Sequence, residues 1–405
     1  MKRCGVRSAL TRRSRTAPTR EQLDRRAFGA ASVSIQRVDS SCSGKAHHRA
    51  ETGCVDDPRT SVLIATLLTV DPDSLQEHVQ LDPSAVGPDG GNVNDPPACV
   101  RRVWCVVGPT ATGKTALSIS MANEAPIEVV SADSRMVYRW MDIGTAKPSV
   151  TERASVAHHL IDIADPDESF TVVDWVAQAR AAIERIWARG RQPVVVGGTG
   201  LYFRALCDGL EIPPVPPDEG LRSVLEERAH REGWKALHAE LQSIDPVSAN
   251  RIEGRNVRRV IRAIEVTQAT GRPFSAWQQR SSPPFEVTWA GLDLPRDVLD
   301  VTIDNRASSQ VGAGLRDEVS GLLARGYSRS LPPMRGLAYR EMVELIDGAT
   351  NLDEAIRRYQ SVTRQYARRQ QSWFRPDPRI RWFDPRDLDP REVVAHLADG
   401  QPQQN

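Results

Sequence analysis

The sequence predicts an α/β protein built on a parallel sheet, with a helical segment set into it. Three observations carry this. Short, near-continuous apolar runs alternate with amphipathic helical stretches from Val103 to Gly198, as strands covered on both faces require. "PPVPP", Pro213 to Pro217, then makes a stiff break, and from Glu219 to about Gln279 the chain reads as helices alone. A strand returns at "VTWAGLDL".

In order, "VWCVVG" is a buried strand and "GKTALSISMANEA" a helix that stops before Pro126. "IEVVSAD" is a second strand and "HHLIDI" a third. The helix after them opens on a capping box of Thr171 and Asp174. Val173, Val176, Ala179, Ile183 and Ile186 or Trp187 repeat along it at helical spacing until Gly190 ends it. "PVVVGG" is a fourth strand. Within the helical segment, Asp245 and Pro246 read as cap and first helical residue. Helices follow the return strand as far as "SWFRPDPRIRWFD". The expected divisions are a low-order extension at 1–100, the first part of the core at 101–212 and a helical insertion at 213–285. The core's return strand with basic helices follows at 286–390, and a tail at 391–405. No internal repeat is visible.

The 405 residues carry a net charge of +1, so the total does not advertise a nucleic-acid partner. Its distribution does. Of 53 basic residues only Lys2, Lys45, Lys114, Lys147 and Lys235 are lysines. The six cysteines (4, 42, 54, 99, 105, 207) form no CxxC pair or zinc spacing, which fits a reduced, intracellular protein. The longest apolar run, Val62 to Val70, is about half the roughly 20 residues a membrane span needs, so no membrane segment is expected. The first forty residues are rich in Arg and Ser, a composition shared by transit peptides and disordered tails.

"GPTATGKT" (Gly108, Pro109, Thr110, Ala111, Thr112, Gly113, Lys114, Thr115) fits the phosphate-loop pattern between a strand and a helix. Glycines let backbone amides converge on an anion, and the helix N-terminus adds partial positive charge. Lys114 reaches a terminal phosphate and Thr115 offers a hydroxyl to Mg²⁺. The pattern specifies a di- or triphosphate without saying which. A nucleotide kinase or hydrolase ordinarily carries an apolar strand ending in a carboxylate. Here "PVVVGGTGLY" ends in Gly197, Gly198 and Thr199. The well-placed carboxylate is Asp133, at the ligand-facing end of the second strand, where metal ligation and general-base work are equally consistent.

Two arginine clusters remain. In "GRNVRRVIRAIEV", Arg255, Arg258, Arg259 and Arg262 share one helical face while Val257, Ile261 and Ile264 can face a core. From Ala355 to Arg381 there are eight arginines and one acid, Asp377, with Tyr359, Val362, Tyr366 and Trp373 as an apolar stripe. Beside a phosphate loop, these clusters point to nucleic acid more than to a merely solvated face.

"SADSRMVYRWMDIGTAKP", "HHLIDIADPDESFTVVDW", "GGTGLYFRAL", "RRVIRAIEVTQATGRPFS" and "VTRQYARRQQSWFR" occur in the order seen in tRNA dimethylallyltransferases, and the chain resembles that family from about Val103 to Asp384. The resemblance implies a P-loop NTPase-like sheet core with an inserted helical domain; residues 1–100 lie outside it and, lacking sustained periodicity, read as a disordered N-terminal extension. The resemblance further implies a cytoplasmic monomer that clamps the anticodon stem-loop of tRNA. In this family the loop holds dimethylallyl diphosphate, whose isoprenyl group passes to the N6 amine of adenosine 37, with Mg²⁺ at Thr115. Asp133 would take the amine proton, with Thr115 and Arg306 completing the catalytic set. Contacts to tRNA would come from Asp133, Ser134, Arg135, Met136, Thr199, Arg222, Arg258, Arg259, Val260, Ile261 and Arg262. The target base must leave its stack to reach a closed channel.

The sequence departs from the family pattern at Met136 (commonly Gln), Trp140 (Gly), Glu253 to Asn256 (His-Pro-Asn-Asp) and Ala338 (Gly). The rival readings are a small-molecule or nucleotide kinase and a non-catalytic RNA-binding protein that uses the loop as an anion site. A relative that prenylates free adenylates shares the core, but the basic C-terminal helix favours tRNA. The pair His158 and His159 reads as structural rather than as a metal site.

Overall fold

The computed structural model describes residues 101–400; the extension, the run from Val62 to Val70, and Cys4, Cys42, Cys54 and Cys99 lie outside the described residues. Six strands form one sheet: β1 (Arg102–Val107), β2 (Ile127–Ala132), β3 (His158–His159), β4 (Gln192–Gly197), β5 (Glu286–Leu292) and β6 (Ile380–Phe383). Their order is β3-β2-β4-β1-β5-β6, and every pairing is parallel. All C-terminal strand ends therefore open on one edge, where an open α/β sheet holds its ligand.

Helices α1 (Lys114–Met121), α2 (Val150–Ser155), α3 (Val172–Ala188) and α4 (Gly200–Cys207) belong to the first half of the core. The insertion holds α5 (Glu219–Glu232), α6 (Trp234–Ile244), α7 (Pro246–Arg251) and α8 (Val257–Thr270). After β5 come α9 (Arg296–Gly312), α10 (Leu315–Ala324), α11 (Tyr339–Ile346) and α12 (Leu352–Phe374), and α13 (Pro390–Asp399) follows β6.

Strand alternation distributes β1 between two cores. Val103, Cys105 and Val107 pack with Trp175, Ile183, Phe203 and Phe374 from α3, α4 and α12. Trp104 and Val106 pack on the other face with Leu117 and Met121 of α1 and Val393 and Leu397 of α13. The insertion closes a core of its own from Leu225, Leu237, Leu241, Val260 and Ile264. It joins the sheet through a two-stranded neck, in which Glu211 N–H donates to Gln279 O at 3.0 Å and Ser281 N–H to Gly209 O at 3.1 Å. No helix among the described residues is long and apolar enough to cross a membrane.

The sheet, the Thr171–Asp174 capping box and the Asp245 cap form as the sequence predicts. Several readings need correction. The third strand is two residues long, because Leu160 (φ +64°) and Asp162 (φ +58°) turn the chain out of line. "RIRWF" is a sheet-edge strand rather than helix, and the tail contains α13, with Val393 and Leu397 fully buried. Asp389 caps it ahead of Pro390, a start signal the sequence does carry. Val173 is exposed, and α3 turns Trp175 inward instead. Helix α4, which had no sequence assignment, begins directly after the Gly-Gly-Thr turn.

Candidate active site

The strand ends open onto a cavity of about 610 Å³ lined by the phosphate loop, Asp133, Met136, Gly198, Arg306 and Gln370. The loop needs its first glycine: Gly108 has φ +142°, and a Cβ there would lie 2.3 Å from Leu292 O. Thr112 Oγ1 donates to Pro109 O at 2.9 Å and tightens the turn. Thr110 N–H is taken by Gln370 Oε1 at 2.8 Å. Gly113 precedes the helix without a side-chain cap, so the first amides of α1 are left for an anion.

Two basic groups share this space. Lys114 Nζ donates to Gly108 O (2.9 Å) and Pro109 O (2.6 Å). Burial pulls its pKa down to about 7, Arg306 pushes the same way, and Asp133 opposes both. Arg306, on α9, donates to Thr110 Oγ1 at 2.5 Å, and its pKa too is lowered by burial. Two basic groups, one of them readily neutral, face one carboxylate, so an incoming diphosphate meets the Arg306 guanidinium and draws a proton onto Lys114.

Asp133 follows β2 into the same cavity. Its Oδ1 accepts from Arg135 N–H (2.8 Å) and Met136 N–H (3.4 Å), which fixes the carboxylate and leaves Oδ2 without a bond among the described residues. Thr199 Oγ1 accepts from Ser134 N–H at 3.1 Å and ties the Gly-Gly-Thr turn to the turn after Asp133. Met136 Sδ accepts weakly from Ser131 Oγ at 3.8 Å. Arg135 donates to Leu337 O at 2.8 Å and stacks on Tyr339. Glu318 holds the following loop by accepting from the amides of Asp142, Ile143 and Gly144 and from Tyr339 Oη.

Among the described residues no three His, Cys, Asp or Glu side chains gather as a metal site. His159 instead bonds Glu128 at 2.7 Å and His158 bonds Val156 O at 2.8 Å. A divalent ion at the loop would rest on the Thr115 hydroxyl and the oxygens of a bound diphosphate. That hard-oxygen set suits Mg²⁺, which is typically held by few protein ligands plus phosphate.

The basic helices divide into two groups. Arg255, Arg258 and Arg259 are exposed and make no ion pair among the described residues. Arg222 and Arg262 instead grip Glu265, which is 1% exposed, at 2.9 and 2.5 Å. Val260 and Ile261 are buried in the insertion's core, which corrects their reading as RNA contacts. On and after α12, Arg357, Arg358, Arg364, Arg375, Arg379 and Arg381 all find carboxylates. Arg368 and Arg369 find none among the described residues. Trp373 leaves the apolar stripe for the surface, beneath Arg204. Sequence reasoning missed Gln370 and Glu318, which are polar residues in helices whose partners lie far along the chain.

Residues 136–377 match the family model described as IPP transferase, and 101–165 match that of isopentenyl transferase. The chain is 50% identical over 284 residues to the tRNA dimethylallyltransferase of Thermomicrobium roseum, covering 70% of this chain and 86% of that protein. It is 47% identical over 296 residues to that of Chloroflexus aurantiacus, covering 73% of this chain and all of the relative. The crystal structure of a tRNA isopentenylpyrophosphate transferase from Bacillus halodurans superposes with a TM-score of 0.55 at 39% identity, over 74% of this chain and 98% of that one. A eukaryotic dimethylallyltransferase described as acting on tRNA shares the fold, with a TM-score of 0.61 at 24% identity over 74% and 77% of the two chains. Together with the phosphate loop and the carboxylate facing it, these matches place the chain in the IPP transferase family, among the tRNA dimethylallyltransferases.

Proposed function

We propose that this chain transfers the dimethylallyl group of dimethylallyl diphosphate to the N6 amine of adenosine 37 of tRNA, giving N6-isopentenyladenosine and diphosphate. The observation that carries the reading is a shared cavity: the anion-deficient loop with Lys114 and Arg306 on one side, Asp133 on the other. The amine nitrogen attacks C1 of the allyl group, the bond from C1 to the diphosphate oxygen breaks, and diphosphate leaves with the bonding pair. Asp133, held by the amides of Arg135 and Met136, receives the amine proton on its unbonded oxygen. Lys114, Arg306 and the loop amides stabilise charge on the departing diphosphate, the dominant electrostatic contribution in such a transfer. Mg²⁺, when bound at Thr115, adds positive charge at the same oxygens.

Ser134 and Met136 lie beside the entering base, with Thr199 fixing their turn. Arg258 and Arg259 take the backbone of the anticodon stem-loop, which favours free arginine heads on an exposed helix face. The enzyme works as a monomer in the cytosol, in keeping with its family.

The test is transfer of labelled dimethylallyl from its diphosphate to bulk tRNA, by wild type and Asp133→Ala, with ATP in a parallel reaction. Wild type labels tRNA, the variant is slower by about 10²- to 10⁴-fold, and ATP is ignored. ATP consumption without labelled tRNA would establish a kinase instead. tRNA binding with neither donor used would leave only an RNA-binding protein.

A further inference from the structure

Helix α12 enters the site on its buried side, at Gln370. This side chain is 4% exposed and bridges two walls of the cavity. Its Oε1 accepts from Thr110 N–H at 2.8 Å, and its Nε2 donates to Gly198 O at 3.0 Å. Space confirms the fit, since a Cβ on Gly198 would fall 2.0 Å from Gln370 Nε2. The Gly-Gly-Thr turn is thus shaped around this amide. Thr110 is held twice, through its backbone by α12 and through its hydroxyl by Arg306 of α9.

We propose that Gln370 is a positioning residue that sets the phosphate loop against the Gly198 turn, and so determines how tightly the loop binds diphosphate. The inference rests on the diphosphate reading of the loop. Gln370 itself need touch no substrate. A primary amide is required because one end must accept and the other donate. Removing it strands a buried amide N–H and a buried carbonyl on opposite walls, and the loop is then free to move relative to Asp133 and Thr199.

Gln370→Met keeps length and volume but removes both bonds. Gln370→Glu keeps the acceptor for Thr110 N–H and sets a carboxylate oxygen against Gly198 O. The full-length chain and both variants are titrated with inorganic pyrophosphate by calorimetry, and KM and kcat are measured for prenyl transfer to tRNA. The Met variant should raise the pyrophosphate Kd and the KM for the prenyl diphosphate about tenfold, the scale of one lost net hydrogen bond. KM for tRNA should stay within about twofold of wild type. Relative to wild type, the Glu variant should bind pyrophosphate poorly and recover as pH falls, since burial raises the carboxyl's pKa and only its protonated form can donate to Gly198 O.

Pyrophosphate binding by the Met variant within twofold of wild type overturns the proposal, as does a parallel rise in KM for both substrates. If wild type binds pyrophosphate but labels no tRNA, the transferase reading fails. The pyrophosphate titration then still decides the role of Gln370.

Discussion

Lys114 and Arg306 set the chemistry of the loop before any ligand arrives. With its pKa brought down from 10.5 to about 7, Lys114 is largely neutral in the free protein above pH 7. In that window the unfolded chain binds more protons than the folded one, so the free protein gains stability as pH rises from about 7 to 10.5. A bound diphosphate reverses the balance by favouring the ammonium. Pyrophosphate binding near pH 8.5 should therefore take up close to one proton, seen by calorimetry in buffers of different ionisation enthalpy, and affinity should fall as pH rises. Lys114→Met should abolish the uptake; an unchanged uptake would place the proton elsewhere. The loop, Asp133 and Arg306 were legible in the sequence because motif and resemblance name them directly. Gln370 was not, since nothing local distinguishes it from Gln371 beside it. Trp140 (φ +66°) and Ala338 (φ +71°) occupy left-handed backbone, which gives a physical reason for the glycine preferred at both positions.

Helices α8 and α12 look alike in sequence and differ in the fold. An arginine run reads as a cationic face until the carboxylates opposite it are known, and some of those lie far along the chain: Asp304 is 60 residues from Arg364, and Glu265 of α8 is 43 from Arg222 of α5. Arg222→Ala should thus act on stability. It leaves half of a buried Glu265 pairing unmet and should cost about 1–3 kcal/mol in denaturant unfolding. Arg259→Ala should leave unfolding unchanged and weaken tRNA binding, lowering the slope of log K against log salt by about 1. Equal effects of the two variants on tRNA affinity, without a stability difference, would refute this division. The period of α8 did identify its buried face, because Val257, Ile261 and Ile264 all pack inward. What periodicity cannot supply is the fate of each charged head.

The whole molecule depends on its last helix. Val393 and Leu397 of α13 close the sheet face over Trp104 and Leu117, and Thr288 Oγ1 donates to Leu397 O at 2.9 Å. Ending the chain after Asp384 should cost about 3–6 kcal/mol, from two fully buried apolar side chains at about 1.5–3 each, with a correspondingly lower denaturant midpoint. An unshifted midpoint would show α13 to be dispensable. The neighbours of β1 also impose an order in time. Trp104 pairs with Val194 on one side and Thr288 on the other, so the central strand waits for a partner made after the entire insertion. At about 5–20 residues per second, the stretch from Gly197 to Glu286 occupies the ribosome for about 4–18 s. Meanwhile the insertion, whose core lies within its own sequence, can fold before the sheet that carries it. Arg306 and Gln370 emerge later still. A nascent chain consequently has its phosphate loop long before it has the groups that arm it, and it gains chemical competence only once Arg306 and Gln370 have been made.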